Sequence, residues 1–144
     1  MLEIPIKRFD TSLPLPEYKT AGAAAFDLYA RISVVIQPRS VGYVPLNIAI
    51  QLPPDHFAQM SARSSLHKKG VMMANGIGIG DADFSGDGDE YQAALFNFSD
   101  KTVTIDKGER IVQMIILKRD SITFKELMHF DTKNRGGFGS TGTK

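Results

Sequence analysis

Short apolar runs with a period of two, each cut off by a turn signal, fill most of this chain. Ile4, Ile6 and Arg8 alternate with Pro5 and Lys7 as a short edge strand does, and Pro5 suits an edge because it has no N–H to donate. SLPLPEYKT reads as an extended surface connection. The small residues Ala21 to Ala25 lead into Phe26, Asp27 and Leu28. Gly22 interrupts the alanine run and no polar face accompanies it, so the pattern predicts a tightly packed strand rather than a helix. From Ile32 to Ile50, β-branched runs (ISVVI, VGYVPLNIAI) flank turn residues at Gln37 to Ser40, and the prolines of QLPPDH make another break. Phe57 to Ser61 completes a strand, after which Ser64 or Ser65 can cap the single predicted helix, a short one ended by Gly70. YQAALFNFSD and KTVTI read as strands, Asp106 to Glu109 as a turn, RIVQMIILKRD as a buried strand and SITFKELMHF as a last one. The whole predicts an all-β domain of short strands.

Composition sharpens this reading chiefly by exclusion. A chain of 144 residues, 42% hydrophobic, is one domain with enough apolar material for a core. Seventeen Lys and Arg against 16 Asp and Glu leave a charge of +1, which argues against generic nucleic-acid or membrane-surface binding. Without cysteine there is no disulfide framework and no thiolate zinc site, and three scattered histidines do not make a histidine-rich one. No apolar run approaches a membrane span, and MLEIPIKRFD lacks a signal-peptide core, so a soluble cytoplasmic protein is expected.

The chemistry concentrates in ANGIGIGDADFSGDGDEY, Ala74 to Tyr91. Gly76, Gly78 and Gly80 alternate with Ile77 and Ile79, which leaves one edge of an extended segment as bare backbone that a flat ligand can approach. Asp81, Asp83, Asp87, Asp89 and Glu90 follow, a carboxylate density that implies a cation or a solvated loop. An EF-hand loop would match at Asp81, Asp83, Ser85 and Gly86, but its twelfth position is Gln92 and its flanks alternate like strands. A dinucleotide fingerprint fails because the third glycine and the following helix are missing. A glycine-rich hairpin with a solvated acidic turn is the reading that needs no ligand.

Elsewhere the signals are weaker. Arg63-Ser64-Ser65 at a helix start offers a guanidinium, hydroxyls and free N–H groups to an anion, although a capped helix with an exposed Arg is the commoner explanation of such a stretch. Gln113, the polar residue among Ile111, Val112, Met114, Ile115 and Ile116, needs a partner from backbone or ligand. Asp27 between apolar neighbours is by itself more often a turn or ladder partner than a ligand. DTKNRGGFGSTGTK is a Gly, Ser and Thr tail of flexible composition, with Arg135 and Phe138 as groups that could order on a ligand.

Five stretches, AGAAAFDL, ARSSL, NGIGIGDADFSG, KGERIVQMI and RGGFGSTG, together resemble the trimeric all-β dUTPases (deoxyuridine triphosphate nucleotidohydrolases), in that family's order and from Ala21 to Gly142. The resemblance implies a distorted jelly-roll or β-barrel over residues 1–130, with 131–144 a flexible lid over a neighbouring subunit's site in a homotrimer. It implies hydrolysis of dUTP to dUMP and pyrophosphate, which limits uracil incorporation into DNA and supplies dUMP for thymidylate synthesis. Mg²⁺ would be held mainly by the triphosphate, with Asp27 holding its water ligands. Arg63, Ser64, Ser65 and Gln113 would bind phosphates, while Asn75 and the backbone around Gly78 would read the uracil edge. Asp81 would orient and deprotonate the attacking water, and Phe84 would lie beneath the deoxyribose. In the tail, Arg135, Phe138, Gly139, Ser140 and Thr141 would close over the nucleotide. No nucleic acid or membrane partner is implied.

The chain differs from the family pattern in having Phe84 where Tyr is usual, about three extra residues in GDGDEY, and a short spacing between Arg135 and Phe138. Two other readings use the same fold. A dCTP deaminase or bifunctional relative shares an RSS stretch but needs a catalytic Glu where Ala94 stands. A catalytically inactive nucleotide-binding relative would have no use for Asp81 as a base.

Overall fold

A computed structural model of the chain describes residues 1–142. Its strands are β1 (Ile6–Arg8), β2 (Phe26–Tyr29), β3 (Val34–Ile36), β4 (Val41–Pro45), β5 (Ile48–Ile50), β6 (His56–Ala62), β7 (Val71–Met73), β8 (Gly78–Gly80), β9 (Gln92–Asn97), β10 (Val103–Ile105) and β11 (Arg110–Lys118). In one sheet β2, β11, β6 and β8 lie side by side; β4, β9 and β7 form a second, and β1–β5 and β3–β10 are two-stranded. Every ladder is antiparallel. Their apolar faces close on one core that includes Leu28, Ile36, Leu46, Leu95, Ile111 and Met114. The result is the expected all-β, jelly-roll-like barrel.

Three local expectations are corrected. Ala21 to Ala25 do not extend β2, which starts at Phe26; the methyl side chains bury little area, and the segment turns instead, with Ala23 N–H donating to Thr20 O at 3.1 Å. SITFKELMHF forms no strand: Ile122, Phe124, Met128 and Phe130 are exposed, because no described strand of the same chain offers it a ladder. The helix is a single 3₁₀ turn, Leu66–Lys69, which Gly70 ends at φ 84°. Ser65 precedes it without a side-chain capping bond, so the anion-cradle argument loses its helix end.

β11 carries the largest sheet, hydrogen-bonded to β2 on one side and β6 on the other. Val112 faces Leu28, and Met114 faces Phe26 and Met60; these point into the core. Gln113 faces Asp27 and Ser61, so those three share the outer face. Arg110, three residues before Gln113, belongs on the opposite face of a regular strand. A β-bulge between Arg110 and Val112 inserts one extra residue, sets Arg110 opposite Tyr29, and returns it to the face of Asp27 and Gln113.

The inner side of the second sheet holds a fully buried polar group, Asn97, whose amide closes the 97–101 turn. Its Nδ2 donates to Ile36 O at 3.0 Å and Lys101 O at 2.7 Å, and its Oδ1 accepts from Ser99 N at 3.0 Å and Ser99 Oγ at 2.7 Å. Asn97→Ala strands two carbonyls and an N–H in a place water reaches poorly, so a loss of about 2–4 kcal/mol is expected. Urea unfolding checks this; a midpoint equal to the parent's would show that water replaces the amide.

Candidate functional site

The outer face of the large sheet gathers three of the predicted site residues. Asp27 is clamped by two guanidiniums, with Arg63 Nε at 3.0 Å from Oδ1 and Arg110 Nη1 at 3.1 Å from Oδ2. Arg63 is itself braced by donating to Arg110 O at 3.1 Å, and Gln113 Nε2 donates to Ala62 O at 3.0 Å. The partner that Gln113 requires is therefore backbone, with its Oε1 left as an acceptor. Beside this group, burial alone would raise Glu109, but Lys69 at 2.8 Å and the Asp106 N–H outweigh it and hold the carboxyl below its ordinary range. Two arginines against one aspartate leave the cluster cationic, and Ser64 and Ser65 stand exposed next to Arg63, a donor set suited to an anion with several oxygens.

The second group lies on the other face. Gly78 pairs with Met60 and Gly80 with Ala58, so both glycines point to the core side of the sheet, while Ile77 and Ile79 are exposed. Bare backbone thus forms one wall of a cleft of about 550 Å³, whose lining includes Asn75, Asp81, Phe84, Tyr91 and Gln92. Met60 lies beneath Gly78, where an added Cβ would come within 3.1 Å of its Cε. Gly80 must also be glycine, since a Cβ there would overlap the Tyr91 hydroxyl. Phe84 meets Tyr91 edge to face, ring centroids 5.2 Å apart at 88°. Asp81 follows β8 directly and is exposed at the cleft and at a shallower hollow bounded by His56, Phe57, Asp83 and Arg119.

Most of the acidic run is structural. Glu90 takes Arg31 in a two-pronged pair at 2.7 and 2.9 Å and accepts from Asn47 N at 2.9 Å. This pair holds the Arg31 guanidinium above its ordinary value. Asn47, buried and left-handed at φ 71°, completes the junction through both amide atoms on Asp10. Asp89 caps the turn by accepting from Gly86 N at 2.7 Å, and Asp87 pairs with Lys7 at 2.7 Å. The EF-hand alternative gains no support from this geometry. Among the described residues no three His, Asp or Glu side chains converge as a metal cage. A divalent ion would have to arrive held by a ligand's own oxygens, because both carboxylate oxygens of Asp27 are engaged by guanidiniums.

Sequence reasoning missed Arg110 and Tyr91. Arg110 was legible only as a charge three positions from Gln113, and the bulge that turns it is not a local signal. Tyr91 stands out in the chain merely as an aromatic after an acidic run. Arg135, Phe138, Gly139, Ser140 and Thr141 are exposed and lie on neither group's lining. No helix of the described residues is long and apolar enough to cross a membrane.

The chain is similar to known proteins over nearly its whole length. The dUTPase family model matches residues 11–142. A deoxyuridine 5'-triphosphate nucleotidohydrolase from Hydrogenobaculum sp. (strain Y04AAS1) is 42% identical over 148 residues, covering 99% of this chain and 100% of that one. Among solved structures, a dUTPase from Streptococcus mutans superimposes with TM-score 0.74 at 25% identity, covering 83% of this chain and 98% of the other. The Staphylococcus bacteriophage 80alpha dUTPase with dUPNHPP reaches TM-score 0.86 at 20% identity, over 99% and 100%.

Burial, and secondly the Asp81 charge, push the Tyr91 phenol up to about 12 from its ordinary 10.0. Below that ordinary value folded and unfolded chains both keep the proton. Above it the unfolded chain releases the proton first, so stability drains away until the folded phenol ionises too. Denaturant midpoints followed from about pH 9 to 12 should fall more steeply for the parent than for Tyr91→Phe. Parallel curves would mean that the phenol is not shielded.

Proposed function

The chain belongs to the dUTPase family and is a dUTP-hydrolysing enzyme of that family's class, and we propose that its two residue groups divide the nucleotide between them. The observation that carries this reading is the Asp81 carboxylate at the end of the glycine strand, in a cleft with one wall of bare backbone. The uracil edge lies along the Gly76 to Gly80 backbone and Asn75, where main-chain donors and acceptors read its pattern and close approach rejects a 5-methyl group. Phe84 forms the flat floor of the deoxyribose and blocks a 2′-hydroxyl. Arg63, Ser64, Ser65 and Gln113 bind the phosphates. The tail, 131–144, closes as a lid, with Phe138 stacking on the base and Arg135, Gly139, Ser140 and Thr141 donating to the terminal phosphate.

Asp81 accepts a proton from the attacking water as its oxygen bonds to the α-phosphorus. The bond from that phosphorus to the bridging oxygen breaks in line, and pyrophosphate leaves from dUMP. Asp27 would stand beside the water shell of a Mg²⁺ held mainly by the triphosphate, an ion that would neutralise charge on the phosphate oxygens. Asp27 has a second duty. By pairing with Arg63 and Arg110 it fixes two guanidiniums before substrate arrives, which reduces the reorganisation that charge development demands.

Gly80 pairs with Ala58 near the start of β6 and Asp81 lies beyond that pair, whereas Arg63 follows the other end of β6, so a single copy keeps Asp81 away from its own Arg63. A second copy would supply the missing half, and a closed C₃ ring gives three equivalent shared sites. The exposed segment at Ile122, Phe124, Met128 and Phe130 supports the same assembly, since such side chains need cover from another copy. The alternative deaminase reading finds Ala94 lining the cleft, with no carboxylate at that point.

Pyrophosphate release from dUTP, set against dCTP, dTTP and UTP, tests the assignment. Turnover confined to dUTP is expected, and ammonia release from dCTP would favour the deaminase. Asp81→Asn should lose at least ~10²-fold in kcat with binding nearly intact; retention of more than about a tenth of the rate would move the base elsewhere. For the shared site, Arg63→Ala and Asp81→Asn proteins, each inactive alone, should recover part of the activity when unfolded and refolded together. No recovery in mixed trimers would show that each site is built from one chain.

A further inference from the structure

Phe84 has to act as a rigid wall, yet it stands in a poor place for holding a side chain still. It lies outside the strands, in the turn after β8 where its N–H donates to Asp81 O at 3.1 Å, and it is 38% exposed. A phenyl ring has no polar atom to tether, so packing alone can fix its angle. A ring free to tilt gives way before a 2′-hydroxyl, and steric exclusion is lost with it. The ring that Phe84 meets is Tyr91, edge to face, with centroids 5.2 Å apart and planes at 88°.

Tyr91 has the fixity that Phe84 lacks. It is 6% exposed, and its backbone is pinned on both sides: N donates to Ile48 O at 3.0 Å and O accepts from Leu46 N at 2.9 Å. The preceding Glu90 is clamped by Arg31. The far end of the side chain is wedged in the notch beside Gly80, where an added Cβ would overlap the hydroxyl and come within 2.6 Å of Cε1 and 2.8 Å of Cζ. The hydroxyl finds no hydrogen-bond partner there among the described residues. Shape therefore holds this side chain, and a ring without the hydroxyl would still fill the notch. Both rings line the cleft, so a fixed one braces a loosely held one at the place where the sugar would lie.

We propose that Tyr91 is a positioning residue for Phe84: wedged against Gly80, its ring holds the Phe84 ring at the angle from which it excludes a 2′-hydroxyl, and so sets the preference for a deoxyribonucleotide. This role rests on Phe84 being the floor of the sugar. It belongs to the ring of Tyr91 and not to the hydroxyl, and it acts through Phe84 rather than by a contact of Tyr91 with the sugar.

The test is the ratio of kcat/KM for dUTP to that for UTP, measured on the full-length protein. The two substrates share base and triphosphate, so damage to the fold, the base wall or Asp81 cancels and the ratio reports the sugar. Tyr91→Leu should lower the ratio about 10-fold, the effect of releasing one aromatic pair, chiefly through a lower KM for UTP. Tyr91→Phe should keep the ratio within about twofold of the parent's, and its Tm should hold or rise because a buried hydroxyl without a partner is removed. Gly80→Ala keeps both rings but displaces Tyr91 from the notch; it should lower the ratio in the same direction, which keeps the test decisive if Tyr91→Leu does not fold. In a Phe84→Ala background, where the ratio is already eroded, adding Tyr91→Leu should change it by less than about twofold, since the ring it braces is gone. A parental ratio in folded Tyr91→Leu or Gly80→Ala protein, even with a lower Tm and equal losses for both nucleotides, overturns the proposal and makes Tyr91 a core residue only. A ratio that falls as far in Tyr91→Phe as in Tyr91→Leu overturns it by giving the role to the hydroxyl, and an additive fall in the double variant does so by showing that Tyr91 meets the sugar without Phe84. If Phe84→Ala itself keeps the parental ratio, the floor reading fails and this inference with it.

Discussion

Strand β11 is paired on both edges, and a single extra residue at its start decides which of its polar groups act together. The ladders to β2 and β6 place Gln113 between Asp27 and Ser61, and the bulge at Arg110 to Val112 brings the guanidinium of Arg110 onto the same face. Removing the bulge would turn Arg110 toward the core, where an unpaired charge is not tolerated, and would leave Asp27 with one arginine instead of two. The core side of the same strand is as demanding: Val112 and Met114 are fully buried. The polarity of the outer face and the packing of the inner one are thus two readings of one register.

A strand sends alternate side chains to opposite faces, so this sheet carries its arginine–aspartate cluster outside and the bare side of Gly78 and Gly80 inside. Each side is preformed by different means. The outer side is fixed by ion pairs and backbone acceptors around Asp27, and the inner one by steric absence, Gly78 over Met60 and Gly80 over Tyr91. Glycine costs conformational entropy in a strand, and here the cost is matched by a backbone that both a ligand and an aromatic ring can approach.

The acidic run illustrates how charge density misleads when read locally. Asp87, Asp89 and Glu90 repel one another only if they face the same solvent, and they do not. Lys7, the Gly86 N–H and Arg31 take them separately, so that the inserted turn is stapled to β1 and to the residues that follow β2 and β4. Asp81 is the carboxylate of the run that both lines the cleft and stays outside these staples. That leaves it available for chemistry.

Period-two alternation, the turn residues and the absence of helical faces determined the all-β class, and the glycines at 76, 78 and 80 with Asp81 after them were legible as a bare-backbone segment leading to a carboxylate, because these properties depend on neighbours within a few residues. Strand existence was read well for β3 to β6 and β9 to β11, while β7, Val71–Met73, was not foreseen. It was misread at Ala21 to Ala25 and at SITFKELMHF, where propensity was present but a ladder partner was not, and partners are not a local property. Only the tertiary structure decided that Asp27 sits between two arginines, that Gln113 bonds to Ala62, that Glu90 is a strut, and that Tyr91 lies in the Gly80 notch. Each of these pairs groups distant in sequence, or depends on a one-residue shift in register. A bulge of one residue leaves almost no trace in composition, yet in a sheet it exchanges inside for outside.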